Sequence, residues 1–109
     1  MATVPEVELL WWRGCPSWEQ AIALVREEMT RAGLDPAGLR VREVRDETEA
    51  DGLGFPGSPT VLVDGRDVDA RSAGPGGLTC RVYRLRDGRV SPMPDRADVR
   101  EALIESRGG

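Results

Sequence analysis

Histidine, lysine and asparagine are absent from the 109 residues, and phenylalanine and tyrosine occur once each. The missing histidine removes the commonest general base near neutral pH and the commonest zinc ligand. Any chemistry therefore falls to two cysteines, the carboxylates, one tyrosine and the arginines, which supply all 15 basic residues. The chain carries no phosphate loop, no zinc-type cluster and no Ser-His-Asp arrangement, and no cofactor is expected. No apolar run approaches the roughly 20 residues that span a bilayer. The opening MATVPEVE shows no basic region ahead of a long apolar stretch, so no secretory signal is expected. These absences predict a cytoplasmic protein without a membrane partner. The net charge of -4 is the reverse of the basic excess of a general nucleic-acid binder, so nucleic acid is not an expected partner.

What is present reads as one small α/β domain over residues 1–109, because neither a linker nor an internal repeat divides the chain. EVELLWW, residues 6–12, predicts a strand with Val7, Leu9 and Trp11 on one side and Leu10 and Trp12 on the other. Apolar residues on both sides predict a central strand covered on both faces. Pro16 suits the first position of a helix, where its missing N–H costs nothing. Trp18, Ile22, Val25, Met29 and Ala32 then form one apolar stripe that ends at Gly33. LRVREV predicts a second strand, nearer a sheet edge because of its arginines. Asp46 with Glu49 resembles a capping box for a short helix reaching about Leu53.

GLGFPGSPT breaks the helix, and TVLVDGRDVDA predicts a hairpin closed by Asp64-Gly65, with Val63 opposite Arg66 and Pro59 opposite Ala70. Residues 71–78 read as a loop. CRVYRLRDGRV predicts a further strand with a second turn at Asp87-Gly88. Asp95 is placed to cap a final helix bearing Val99, Ala102 and Leu103 on one face.

The order of a strand, Gly14-Cys15-Pro16 opening a helix, a strand and helix, and Ser58-Pro59-Thr60 opening a hairpin resembles the thioredoxin-like fold. That resemblance covers nearly the whole chain and implies a three-layer α/β/α sandwich with a mixed sheet. It also implies a cis Ser58-Pro59 bond lying against a reactive Cys15, with Ser58 and Pro59 forming part of the substrate-binding edge. LLWWRGCPSW, GFPGSPTVLVDGRDV and TCRVY together resemble a group of small actinobacterial thioredoxin-like proteins with a GCPxW motif. Some of that group carry a label connected with alkylmercury lyase. The chain departs from the parent family at Trp18, which stands where a resolving cysteine would complete a Cys-x-x-Cys motif.

Cys15 is expected at the N-cap of the first helix, where unpaired N–H groups and the helix dipole favour a thiolate. The thiolate is the reactive form toward disulfides and soft metals. Arg13 is a candidate to add positive charge, and Trp18 either packs inward or walls a groove beside Cys15. Two readings of Cys80 stay open, a buried strand thiol beside Val82 or a second sulfur for Cys15. Tyr83 is expected to pack, with its hydroxyl a candidate for the site.

Three functions follow. The first is thiol–disulfide exchange through Cys15 with a thiol or disulfide substrate, resolved by Cys80 or by an external thiol. The second is soft-metal or organomercurial binding by Cys15 and Cys80. The third is a redox-inactive interaction module.

Overall fold

The alternation of apolar residues in VELLW produces the strand β1 (Val7–Trp11), which the other elements surround. The computed structural model describes residues 4–73 and 76–108, the side chains of 107 and 108 excepted. Along the chain β1 is followed by α1 (Trp18–Arg31), β2 (Arg40–Glu43), α2 (Glu47–Leu53), β3 (Thr60–Val63), β4 (Arg66–Asp67), β5 (Tyr83–Arg84), β6 (Val90–Ser91) and α3 (Arg96–Gly108). Single 3₁₀ turns lie at Pro36–Gly38 and Ala70–Ser72.

The architecture is mixed α/β. The four-stranded sheet has the order β2-β1-β3-β4, and β5 and β6 form a separate two-stranded ribbon. β1 runs parallel to β2, with Leu9 opposite Val41, and antiparallel to β3, with Leu9 opposite Val61. The central position expected of β1 and the edge position expected of β2 are both observed. Val7 and Leu9 of β1, with Val61 and Val63 of β3, meet Val25 and Met29 of α1 and Val99 and Leu103 of α3 on one face. Leu10 points to the opposite face, where Val44, Ala50 and Phe55 enclose it. Helices therefore cover the sheet on both sides, as the two-sided hydrophobicity of β1 requires. Each fully buried large apolar side chain in these layers contributes about 1.5–3 kcal/mol relative to exposure.

The helix ends follow local chemistry with one correction. Asp46 Oδ1 accepts from the Glu49 N–H at 2.8 Å and caps α2, while the Glu49 carboxylate reaches back past Asp46 and accepts from the Arg45 N–H at 2.9 Å. Asp95 Oδ1 accepts from the Ala97 N–H at 2.8 Å ahead of α3. α1, in contrast, begins at Trp18 with Ser17 as N-cap, not at Pro16 with Cys15 as N-cap. The Cys15 N–H turns back to the Trp12 carbonyl at 3.1 Å, and this turn delays the helix. The buried face of α1 includes Val25 and Met29 of the expected stripe, with Ala32 just past the helix end and Ile22 packed against the same core, and it widens to Ala21, Leu24 and Glu28. Glu28 is tolerated there because Arg100 and Arg96 donate to its carboxylate at 2.8 and 3.2 Å.

The Asp64-Gly65 hairpin forms with Val63 opposite Arg66, but its ladder ends at Leu62 and Asp67. Pro59 does not reach Ala70. The Asp69 N–H bonds to Asp67 Oδ1 at 2.9 Å, bending the chain away, and a bridge between Ser58 and Cys80 replaces the lost pairing. The expected loop over 71–78 includes residues 74 and 75, which lie outside the described residues. The strand and turn expected over CRVYRLRDGRV form as the short β5–β6 ribbon, which turns at Asp87-Gly88, where the Gly88 N–H donates to the Leu85 carbonyl at 2.9 Å.

Candidate functional site

Cys15 and Cys80, 65 residues apart in sequence, form a disulfide with their Cα atoms 5.5 Å apart. Cys15 arrives from the end of β1 through the turn Trp12–Cys15. Gly14 is required within that turn, because a Cβ at this position would collide with the Trp12 ring. Trp12 is itself held on the sheet side by its N–H, which donates to Ser58 Oγ at 2.9 Å.

Cys80 arrives from the other side as the middle of the segment Thr79–Arg81. This segment lies along Ser58: the Ser58 N–H donates to the Thr79 carbonyl and the Arg81 N–H to the Ser58 carbonyl, each at 2.8 Å. The peptide edge beside Pro59, expected to dock an external substrate strand, is thus occupied by the chain's own Cys80 segment. The Ser58-Pro59 bond is cis, as the resemblance implied.

Arg81 fixes this segment. Its guanidinium donates to both Asp67 carboxylate oxygens, at 2.7 and 3.1 Å, to Thr60 Oγ1 at 3.1 Å and to the Asp69 carbonyl at 2.5 Å. It also lies 4.4 Å from the centroid of the Tyr83 ring. The fully buried Tyr83 hydroxyl donates to the Pro59 carbonyl at 2.5 Å. Burial pushes the Tyr83 phenol well above its ordinary value, against the opposing charge of Arg81, so it remains a protonated donor at neutral pH.

Arg81 and Tyr83 point inward, so the residues alternating with them, Cys80 and Val82, point outward. This overturns the reading of Cys80 as a buried thiol beside Val82. The two do share a face, but it is the exposed one, because Asp67 neutralises an inward arginine. Cys15 is the buried partner, at 2% exposure.

Both cysteines open on one predominantly apolar groove of about 550 Å³, bounded by Pro16, Ser17 and Gln20 from the start of α1 and by Val82, Val90 and Pro92 from the ribbon segment. Val82 and Val90 are largely exposed there. Ser17 and Arg81 also line it. They contribute the two buried side-chain polar atoms that lack a hydrogen-bond partner among the described residues, Ser17 Oγ and Arg81 Nε.

The other predicted residues are placed differently. Trp18 stacks on Trp11, ring centroids 4.0 Å apart, and packs rather than walling the groove. Arg13 is exposed and directed to Glu43, 3.6 Å away. Pro16 lies in the groove ahead of α1. The sequence reading missed Ser17 and Arg81. An inward-facing arginine has no signature in a hydropathy pattern, although the nearby acidic pair Asp67 and Asp69 on the hairpin offered it a destination.

Among the described residues no group of three or more His, Cys, Asp or Glu side chains is placed to hold a metal ion, and no helix is long and apolar enough to cross a membrane. No family model matches the chain, and neither a curated protein nor a solved structure matches it.

Proposed function

We propose that the chain is a thioredoxin-like thiol–disulfide oxidoreductase whose redox couple is the Cys15–Cys80 pair. The observation that carries this reading is the placement of Cys15, in a strand-to-helix turn next to Cys80, with both residues lining one apolar groove. The element order and the helices on both faces of a mixed sheet support the thioredoxin-like assignment. In this reading Cys80 supplies the second sulfur that Trp18 denies to the Gly14-Cys15-Pro16 motif. The reaction is an exchange: the oxidised protein and two thiols yield the dithiol protein and one disulfide, with two electrons transferred to Cys15 and Cys80.

The test is catalysed reduction of 2-hydroxyethyl disulfide by a dithiol. The wild-type protein is expected to raise the rate above the uncatalysed background, and Cys15→Ser and Cys80→Ser are each expected to abolish the increase. A wild-type rate equal to background would reject the reading.

The same proximity favours a second reading, in which the reduced pair holds a soft ion in a linear two-thiolate site. Titration of the reduced protein with mercuric ion then gives one ion per two thiols, lost in either serine variant. A titration in which the variants bind as tightly as the wild type would reject it.

A further inference from the structure

We propose that Cys80 is the sulfur attacked by an external thiol, and that Cys15 is the leaving thiolate, received by the N-terminus of α1 and the Ser17 hydroxyl. This rests on the reading of Cys15–Cys80 as an exchanging pair, and it reverses the order the motif implies, in which Cys15 makes the external contact.

The asymmetry of the disulfide carries the inference. Exchange requires an incoming thiolate to reach one sulfur while the other departs with the electron pair. Cys80 is exposed on the outward face of its segment, whereas Cys15 is only 2% exposed. Access therefore selects Cys80 as the electrophile.

The leaving-group side is equally unequal. Cys15 lies three residues ahead of Trp18, the first residue of the 14-residue helix α1. The first-turn N–H groups of a helix have no intrahelical acceptor and carry partial positive charge. Ser17 occupies the N-cap with near-helical φ and ψ, and its side chain makes no cap hydrogen bond. The extended geometry that normally turns an N-cap oxygen onto the first-turn N–H groups is missing. Its hydroxyl is instead buried without a partner, on a residue at 8% exposure that lines the same groove as both cysteines. A buried unpaired hydroxyl is destabilising. It finds an acceptor when reduction turns Cys15 Sγ into a thiolate.

In the first step RS⁻ attacks Cys80 Sγ, the Cys15–Cys80 bond breaks, and its electron pair leaves on Cys15 Sγ, giving a mixed disulfide on Cys80. In the second, another RS⁻ attacks the R sulfur and releases RSSR and the Cys80 thiolate. The protons of the two thiols pass to solvent or to the two protein thiolates. By microscopic reversibility, Cys80 attacks first when the reduced protein meets a disulfide, and Cys15 resolves.

The experiment uses the oxidised wild-type chain with cysteamine, quenched in acid and alkylated with N-ethylmaleimide. Tryptic cleavage separates Cys15 on the peptide 14–26 from Cys80 on the peptide 72–81. The expected result is cysteamine on the Cys80 peptide and maleimide on the Cys15 peptide. Cysteamine predominantly on Cys15 overturns the inference while leaving the exchange reading intact. A disulfide that resists cysteamine in the folded protein but opens in urea overturns both.

Ser17 has its own readout. Ser17→Ala is expected to slow opening about tenfold, the equivalent of one charge-assisted hydrogen bond, and Ser17→Thr to restore the rate. The urea midpoint of oxidised Ser17→Ala should equal or exceed that of the wild type, since an unpaired hydroxyl has been removed. Unchanged opening in Ser17→Ala overturns the role given to Ser17.

Discussion

Glu28 is a fully buried carboxylate whose position is set by charge rather than by hydropathy. Burial alone would push its carboxyl up, but hydrogen bonds from Arg100 and Arg96, with the charges of Arg100 and Arg31, outweigh it and hold Glu28 below the ordinary value of 4.5. A carboxyl whose folded value is depressed contributes stability above its unfolded value, and that contribution is lost as pH falls through the folded value. The protein should therefore lose stability as pH drops below 4.5, and Glu28→Gln should show a shallower loss. Urea midpoints of the two proteins, compared between neutral pH and about pH 3, measure the difference. Equal slopes would remove Glu28 as the cause.

At the scale of elements, the segment from Thr79 to Tyr83 is held by polar contacts more than by a ladder. It forms one bridge to Ser58, and β5 has only Tyr83 and Arg84. Arg81 is its anchor: 1% of its side chain is exposed, against 15% for the Asp67 side chain that it pairs with. Removing one partner of such a buried pair leaves the other charge uncompensated, at a cost of about 3–5 kcal/mol. Arg81→Met is expected to destabilise the chain by that amount in urea denaturation, and to slow re-formation of the Cys15–Cys80 disulfide after reduction. Arg81→Lys should rescue neither measurement fully, because an ammonium cannot reproduce the two-oxygen contact to Asp67 together with those to Thr60 and Asp69. A wild-type urea midpoint in Arg81→Met would show that the pair contributes no net stability.

For the whole molecule, the disulfide ties the end of β1 to a segment that the four-stranded sheet does not include. In the chain-entropy description, a closed loop with a sequence separation of 65 stabilises the folded state by about 4 kcal/mol relative to the reduced chain. Urea denaturation with and without a dithiol should differ by this order. The oxidised form should be the more stable, and a difference near zero would mean that the reduced unfolded chain is already constrained. A disulfide that contributes this much also makes the β5–β6 side of the molecule the part whose stability responds most to reduction. The sheet and the α1–α3 layer retain the core that does not depend on Cys80.

The central β1, the edge position of β2, the Asp46 and Asp95 caps and the Asp64-Gly65 turn were all legible in the order of the amino acids. Each of these rests on local chemistry: side-chain alternation, a carboxylate reaching a free N–H, or a residue pair suited to positive φ. The same order also marked Gly14-Cys15-Pro16 and Ser58-Pro59 as positions of interest. Which way the 79–83 segment faces is set by contacts distant in the chain. That orientation depends on Arg81 finding Asp67 across 14 residues, a long-range neutralisation that turns an arginine inward beside the packed Tyr83 and leaves Cys80 outward. The outward face of Cys80 follows from that inward arginine, and Cys15 meets it from the turn after β1.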